Sequence, residues 1–252
     1  MLDRIKEVLG HDARSPLMPE SLPPFHWKVA ELDGVDLVAQ FMAEVEQVGG
    51  KVTQSKPERV KEHLEELLPT SLNVSVALSD GAGLERLGIG EWLARSGRRI
   101  VPALKEFIAA ELQTCEPNST SAPRGEGIVA LIEQYKSLLL EAEVGITTAD
   151  FGLADTGTLV IVSGSEQHRL ISLLPPTHIC LLEPSRILPS LTELLARLCD
   201  RFGQVEAAPK NITCITGPSR TADIEQTITM GVHGPKSLHV ILYSPLEGGV
   251  VT

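Results

Sequence analysis

Two runs in the chain, "HICLLE" (His178–Glu183) and "LHVILY" (Leu238–Tyr243), are apolar at nearly every position. A strand with one face in water alternates polar and apolar residues. A strand without that alternation must be covered on both faces, and the common solution is a parallel sheet between layers of helix. "TLVIVS" (Thr158–Ser163) has the same character, and "VGIT", "ITCIT" and "LNVSVALSD" are further short strand candidates. The segments between them carry helical spacing. "DLVAQFMAEVEQVGG" ends at Gly49 and Gly50, and "SKPERVKEHLEELLP" has Ser55 as a cap, Pro57 in its first turn and Pro69 beyond its end. "LKEFIAAELQ", "IVALIEQYKSLLLEAE" and "SRILPSLTELLARLCDRFG" are also read as helices. The alternation predicts one α/β domain over residues 31–252, a three-layer α/β/α Rossmann-like fold with a mostly parallel sheet. Residues 1–30 form a Pro-rich arm, with four prolines between Arg14 and Phe25. A chain of 252 residues with 42% hydrophobic composition can bury such a core.

The balance of 22 Lys and Arg against 33 Asp and Glu gives a net charge of −11. Phosphate backbones repel such a chain, so nucleic acid is excluded as an expected partner. The four cysteines, Cys115, Cys180, Cys199 and Cys214, include no Cys-x-x-Cys pair. No metal site or cofactor is expected in this chain. Cys180, Cys199 and Cys214 lie in apolar context and are expected to be small buried hydrophobes. The first residues, "MLDRIKEVLG", lack a signal-peptide pattern, and no apolar run reaches membrane-span length. A cytoplasmic location is the expectation.

Ligands of open α/β sheets bind beyond the carboxyl ends of the strands. Three polar, glycine-bearing stretches fall near strand ends. The first, "LADTGT", holds Asp155, Thr156, Gly157 and Thr158. Glycine between hydroxyls allows close backbone approach to a ligand; the plain alternative is a turn into a strand. The second, "TGPSRTAD", offers Gly217, Ser219, Arg220 and Thr221. The guanidinium suits a carboxylate or phosphate, and Asp223 with Gln226 has the form of a helix-start capping box, which would aim a helix dipole at the same spot. The alternative is a capped turn with Arg220 paired to an acid. The third, "GVHGP", places His233 between glycines, as an acid, a base or a backbone-bonded loop residue. His168 and Arg169 follow "TLVIVS" and are candidates to complete an anion grip. The catalytic candidates are His233, His168, Asp155 and Glu225. The ligand-binding set is Thr156, Gly157, Thr158, Arg169, Gly217, Ser219, Arg220 and Thr221. His178 opens an apolar strand and is read as structural. "GAGLERLGIG" follows a strand but does not fit G-x-G-x-x-G.

Four segments carry a specific resemblance: "VGITTADFGLADTGTLVIVSG", "HRLISLLPPTHICLLEPSRI", "ITGPSRTADIE" and "GVHGPKSLHVILY". In order and spacing they resemble the lactate-utilisation protein C family, the LUD-domain proteins. The resemblance implies a fold related to the ribose-phosphate isomerase and CoA-transferase superfamily. It also implies a place in bacterial oxidation of L-lactate to pyruvate, beside partner proteins that carry iron–sulfur clusters. On this reading the chain is the non-redox component, binding a small carboxylate or phosphate or a partner surface. A stand-alone enzyme acting on a phosphorylated or CoA-linked substrate is the alternative, and an interaction-driven regulatory protein is a third. The long arm and "TCEPNSTSAPRG" depart from relatives.

Overall fold

A computed structural model describes residues 36–71, 74–114, 126–163, 169–202, 209, 211–222, 228–231 and 233–244. The expected arm of residues 1–30 lies outside the described residues, as does most of the loop from Thr114 to Gly127.

The central sheet has six strands: β1 (Lys51–Ser55), β2 (Ser75–Leu78), β3 (Arg99–Val101), β4 (Val144–Thr148), β7 (Thr177–Leu182) and β12 (Ser237–Tyr243). Their spatial order is β1-β12-β7-β4-β2-β3, and every pairing is parallel. This is the parallel sheet the apolar runs require. In β7, Ile179 and Leu181 join one core and Cys180 and Leu182 another. In β12, Ile241 and Tyr243 join the first while Leu238, Val240 and Leu242 join the second. Adjacent residues thus enter opposite cores, as the pleat dictates.

On the first face lie α2 (Val60–Leu67), α3 (Ala82–Arg86) and α4 (Ile89–Arg95), packed through Val60, Leu64, Leu84, Ile89 and Leu93. On the second face, α5 (Leu104–Thr114) and α6 (Glu126–Glu141) bury Phe107, Tyr135 and Leu139 against Ala77 and Val101. Further along that face lies α1 (Leu37–Gln47), with Phe41 and Val45 fully buried. The Asp36 side chain caps α1 by accepting from the Val38 and Ala39 amides at 3.0 and 3.1 Å.

A second sheet, not expected from the sequence, lies beside α1. It comprises β5 (Phe151–Leu153), β6 (Thr158–Ser163), β8 (Ile187–Leu188) and β9 (Asn211–Ile215), in the order β8-β5-β6-β9. "TLVIVS" and "ITCIT" therefore leave the parallel sheet and pair antiparallel with each other. The apolar run of β6 still reflects two-sided burial. Leu159 faces the central sheet's core, and Val160 faces α7 (Leu191–Phe202) through Leu194 and Leu198. After Gly217, β10 (Arg220–Ala222) pairs antiparallel with β11 (Ile228–Met230). Asp223, Glu225 and Gln226 lie outside the described residues. Of the cysteines, Cys180 is buried, while Cys199 and Cys214 are exposed, against expectation. Cys199 falls on the outer side of α7 and Cys214 on the half-open strand β9, so apolar neighbours in sequence did not mean apolar neighbours in space.

His178 is fully buried, in register with Gly145 of the neighbouring strand β4. Its Nε2 lies 2.8 Å from Thr147 Oγ1, and that hydroxyl donates to Cys180 Sγ at 3.6 Å. The hydroxyl proton is thus spoken for, so Nε2–H donates to the threonine oxygen and Nδ1 is the bare nitrogen. Nδ1 has no hydrogen-bond partner. Burial pushes the imidazole pKa from 6.5 down to about 3. The folded group stays neutral where the unfolded one protonates, so its contribution is complete above pH 6.5 and declines as pH falls towards about 3. We expect His178 alone to remove roughly 1 kcal/mol of stability per pH unit between about pH 7 and about pH 5. Urea unfolding of wild type and His178→Gln between about pH 7 and about pH 5 checks this. The variant keeps a donor for Thr147 and should show the shallower decline; equal slopes would exclude His178 as the titrating group.

Candidate functional site

The three stretches singled out in the sequence do meet. Thr156 Oγ1 lies 2.8 Å from Thr158 Oγ1, which lies 2.7 Å from Thr216 Oγ1. The turn at Gly157 has φ 61°, and a Cβ there would strike the backbone of Glu44 and Val45 in α1. Gly217, at φ 76°, lies against Val48 in the same way. Arg220 Nη2 donates to the Val48 carbonyl. The Ser219 amide donates to Pro235 O at 2.9 Å, and Gly234 packs on the Ser219 side chain. All these contacts surround the end of α1 and the entry to β12. The meeting point is therefore the amino edge of the parallel sheet, not the carboxyl edge where ligands of such sheets bind.

The bonding there is internal. The threonine hydroxyls satisfy one another, and Asp155 accepts from Thr156 at 3.1 Å. Arg220 supplies the cationic donor that a helix C-terminus lacks. His233 is exposed beside this cluster, and Thr221 pairs with Thr229 in the hairpin. Arg169 stands apart, in the turn Arg169–Ser172, which packs through Ile171 against Gly145 of β4. Among the described residues no hydrogen bond or ion pair joins it to Arg220. His168 lies outside the described residues.

The carboxyl edge holds a different constellation. A cleft of about 220 Å³ is lined there by Gly81, Ala82, Gly83, Arg86, Thr148, Ala149, Asp150, Leu181, Glu183, Arg186, Arg201 and Tyr243. Each of β2, β4, β7 and β12 delivers residues to it from its carboxyl end. Glu183 lies at its centre and is only 4% exposed. Arg86 Nη2 donates to its Oε1 at 2.7 Å, and Tyr243 Oη donates to the same oxygen at 3.3 Å. Arg186 Nε reaches Oε2 at a loose 3.5 Å. A buried carboxylate needs such partners, since an unpaired one carries a large desolvation cost. The two guanidiniums remain partly open, at 44% and 38% exposure. Each has more N–H donors than Glu183 can accept.

Asp150 completes the cleft. Its Oδ2 accepts the Val162 amide at 2.8 Å, and burial raises its pKa against the lowering pull of that bond and of Arg186 and Arg201. Burial and the nearby Glu183 carboxylate push the Tyr243 phenol up to about 12, so it stays a donor. The arrangement offers guanidinium donors to an anion, with a protonatable carboxyl and a phenol at hand. Among the described residues no group of three or more His, Cys, Asp or Glu is placed to hold a metal ion, and no helix is long and apolar enough to cross a membrane.

An all-parallel sheet with helices on both faces and a polar cleft at its carboxyl edge defines an open-sheet α/β protein. The chain belongs to the LUD domain family, whose model matches residues 38–243. Relatives include Lactate utilization protein C of Geobacillus sp. (strain WCH70), 40% identical over 40% of this chain and 43% of that protein. Lactate utilization protein C of Macrococcus caseolyticus is 30% identical over 71% of this chain and 72% of that protein. Uncharacterized protein YkgG of Escherichia coli is 33% identical over 67% and 62% of the respective chains. The match to the Geobacillus relative spans less than half of that protein's length. A crystal structure of a DUF162 family protein from Deinococcus radiodurans aligns with a TM-score of 0.51 at 17% identity, covering 82% of this chain and 96% of that one, and shows the same fold.

The carboxyl-edge residues Arg86, Glu183, Arg186 and Tyr243 were not singled out in the sequence. The available signal was position: each follows, or ends, a strand apolar on both faces. Two substitutions test the amino-edge geometry. Arg220→Ala should cost about 0.5–1.5 kcal/mol by uncapping α1. Gly157→Ala should cost more, about 1–3 kcal/mol, through the backbone clash and the left-handed φ. Denaturant unfolding of each variant measures both.

Proposed function

We propose that the chain serves L-lactate utilisation and that the cleft around Glu183 holds the carboxylate of a small organic acid. The relatives named Lactate utilization protein C support the process. The observation that carries the ligand assignment is Arg86 and Arg186 leaning on one buried carboxylate at the carboxyl edge. Glu183 orients Arg86 at 2.7 Å and draws Arg186 to 3.5 Å without using all their donors, so free N–H groups remain for a ligand. The cleft, about 220 Å³, suits a small acid better than a drug-sized ligand, which needs about 300–1,000 Å³. Thr148 and Tyr243 line the same space and offer hydroxyls to the rest of the ligand.

Converting a 2-hydroxy acid to a 2-oxo acid removes two electrons and two protons. In this proposal the chain carries no cofactor, and the electrons pass to partner proteins bearing iron–sulfur clusters. The chain's own part is to bind and orient the carboxylate. Asp150 would hold a proton beside it, because its burial favours the protonated form.

The test is calorimetric titration of the purified protein with L-lactate and pyruvate, with inorganic phosphate, a sugar phosphate and an acyl-CoA as comparisons. We expect the carboxylates to bind and Arg186→Gln to weaken them about tenfold, the equivalent of 1.4 kcal/mol. Arg186 is the variant of choice because Arg86 still neutralises Glu183. A strain lacking the chain should regain growth on L-lactate with the wild-type gene and not with Arg186→Gln. Binding of acyl-CoA or sugar phosphate in place of the acids would overturn the reading in favour of a stand-alone enzyme.

A further inference from the structure

A small acid carries more than its carboxylate, and the cleft that holds it has more than arginines. The carboxyl edge also bears a second cavity of about 360 Å³, but Asp80, Glu85, Glu91 and Glu106 line it and no Lys or Arg does. An acid therefore belongs in the arginine cleft, which Tyr243 also lines.

Tyr243 ends β12 and packs in the core with Leu84 and Ile241. Its phenol oxygen, by contrast, stands among groups of the cleft. It donates to Glu183 Oε1 at 3.3 Å. A Cβ built on Gly83 would lie 2.6 Å from Tyr243 Oη and 3.1 Å from Thr148 Cγ2. Glu183, Gly83 and Thr148 all line the cleft, so the phenol oxygen lies at its wall. Gly83 is in helix α3 and its φ is not positive, so the backbone does not require glycine there. Glycine is a poor helix former. What the position does require is room for the phenol.

The direction of the Glu183 bond decides what the phenol can do for a ligand. A carboxylate only accepts, so the phenol proton goes to Glu183, and the oxygen keeps lone pairs for another donor. Burial and the neighbouring carboxylate keep that proton in place, with the phenol pushed up to about 12. Towards the cleft Tyr243 is therefore an acceptor. A 2-hydroxyl group can donate to it, and a 2-oxo group cannot.

We propose that Tyr243 makes the cleft selective for a 2-hydroxy acid over the corresponding 2-oxo acid, its phenol oxygen accepting a hydrogen bond from the C2 hydroxyl. This rests on the reading of the cleft as an acid site. Tyr243 is the specificity-determining residue. Gly83 is a positioning residue that acts through it, by letting the phenol oxygen reach the wall.

The experiment is calorimetric titration of the full chain with L-lactate, pyruvate and propionate, acids of equal chain length that differ at C2. L-lactate should bind about fivefold tighter than either of the others, the worth of one hydrogen bond between uncharged groups. Tyr243→Phe should bring the ratio of L-lactate to propionate affinity to about one. Gly83→Ala keeps the phenol but displaces it, and should lower the same ratio. Thermal unfolding checks that both variants fold. Equal binding of L-lactate and pyruvate by wild type overturns the proposal without recourse to a variant, and leaves the acid reading standing. A wild-type ratio in Tyr243→Phe also overturns it, since the hydroxyl would then be read by another group, such as Glu183. Binding of none of the three acids removes the acid reading itself, and this proposal with it.

Discussion

Everything in this fold follows from covering β7 and β12 on both faces. Neither strand presents a polar side to solvent, so each must be sandwiched between other layers, and their neighbours β1 and β4 extend the same sheet. Helices α2, α3 and α4 cover one face. On the other, α1 and the small sheet share the work, and the small sheet is covered in turn by α7. The consequence is that strand faces are closed to ligands. Among the described residues, polar side chains gather at the two edges of the central sheet.

The two edges are used differently. At the amino edge, the end of α1 must be joined to the small sheet and to the entry of β12. Backbone carbonyls left open at the helix end need donors, and Arg220 provides one. The turns at Gly157 and Gly217 let two other segments approach the helix closely. Threonine hydroxyls complete the seam by bonding each other. The result is a polar joint, built of residue types that in sequence look equally suited to gripping an anion. At the carboxyl edge, successive strands end in loops with no such joint to make. Their polar groups turn towards open space, and Glu183 gathers Arg86, Arg186 and Tyr243 around itself.

This contrast explains what the sequence revealed and what it concealed. The parallel sheet was legible because unbroken apolar runs admit few other arrangements. The small sheet was not, because β6 is buried on both faces as fully as a central strand, and periodicity carries no record of which sheet buries it. The convergence of Thr156, Arg220 and Ser219 with the "GVHGP" loop was also legible, as polar, glycine-bearing turns beside strands. Their edge was misjudged, although chain direction held the clue: "GVHGP" precedes β12 and so must lie at its amino end. The helix start expected at Asp223 lies outside the described residues, and the segments on either side of it, Arg220–Ala222 and Ile228–Met230, pair as strands. Glu183 stood at the end of an apolar strand, and its partners Arg86 and Tyr243 come from positions 97 and 60 residues away in sequence, beyond any local pattern.

The carboxyl edge carries two cavities of opposite charge. A chain of net charge −11 repels small anions at a distance. At physiological ionic strength, however, exposed charges are screened beyond about 8 Å. Within that reach the Glu183 cleft presents Arg86, Arg186 and Arg201 against Glu183 and Asp150, whose pKa burial raises. The local field is favourable although the global one is not. In the neighbouring cavity the local and global signs agree, since Asp80, Glu85 and Glu106 add to an already negative molecule. Segment 78–91, from the end of β2 into α4, contributes to both walls. On the single five-residue helix α3, Arg86 lines the first cavity and Leu84 and Glu85 line the second.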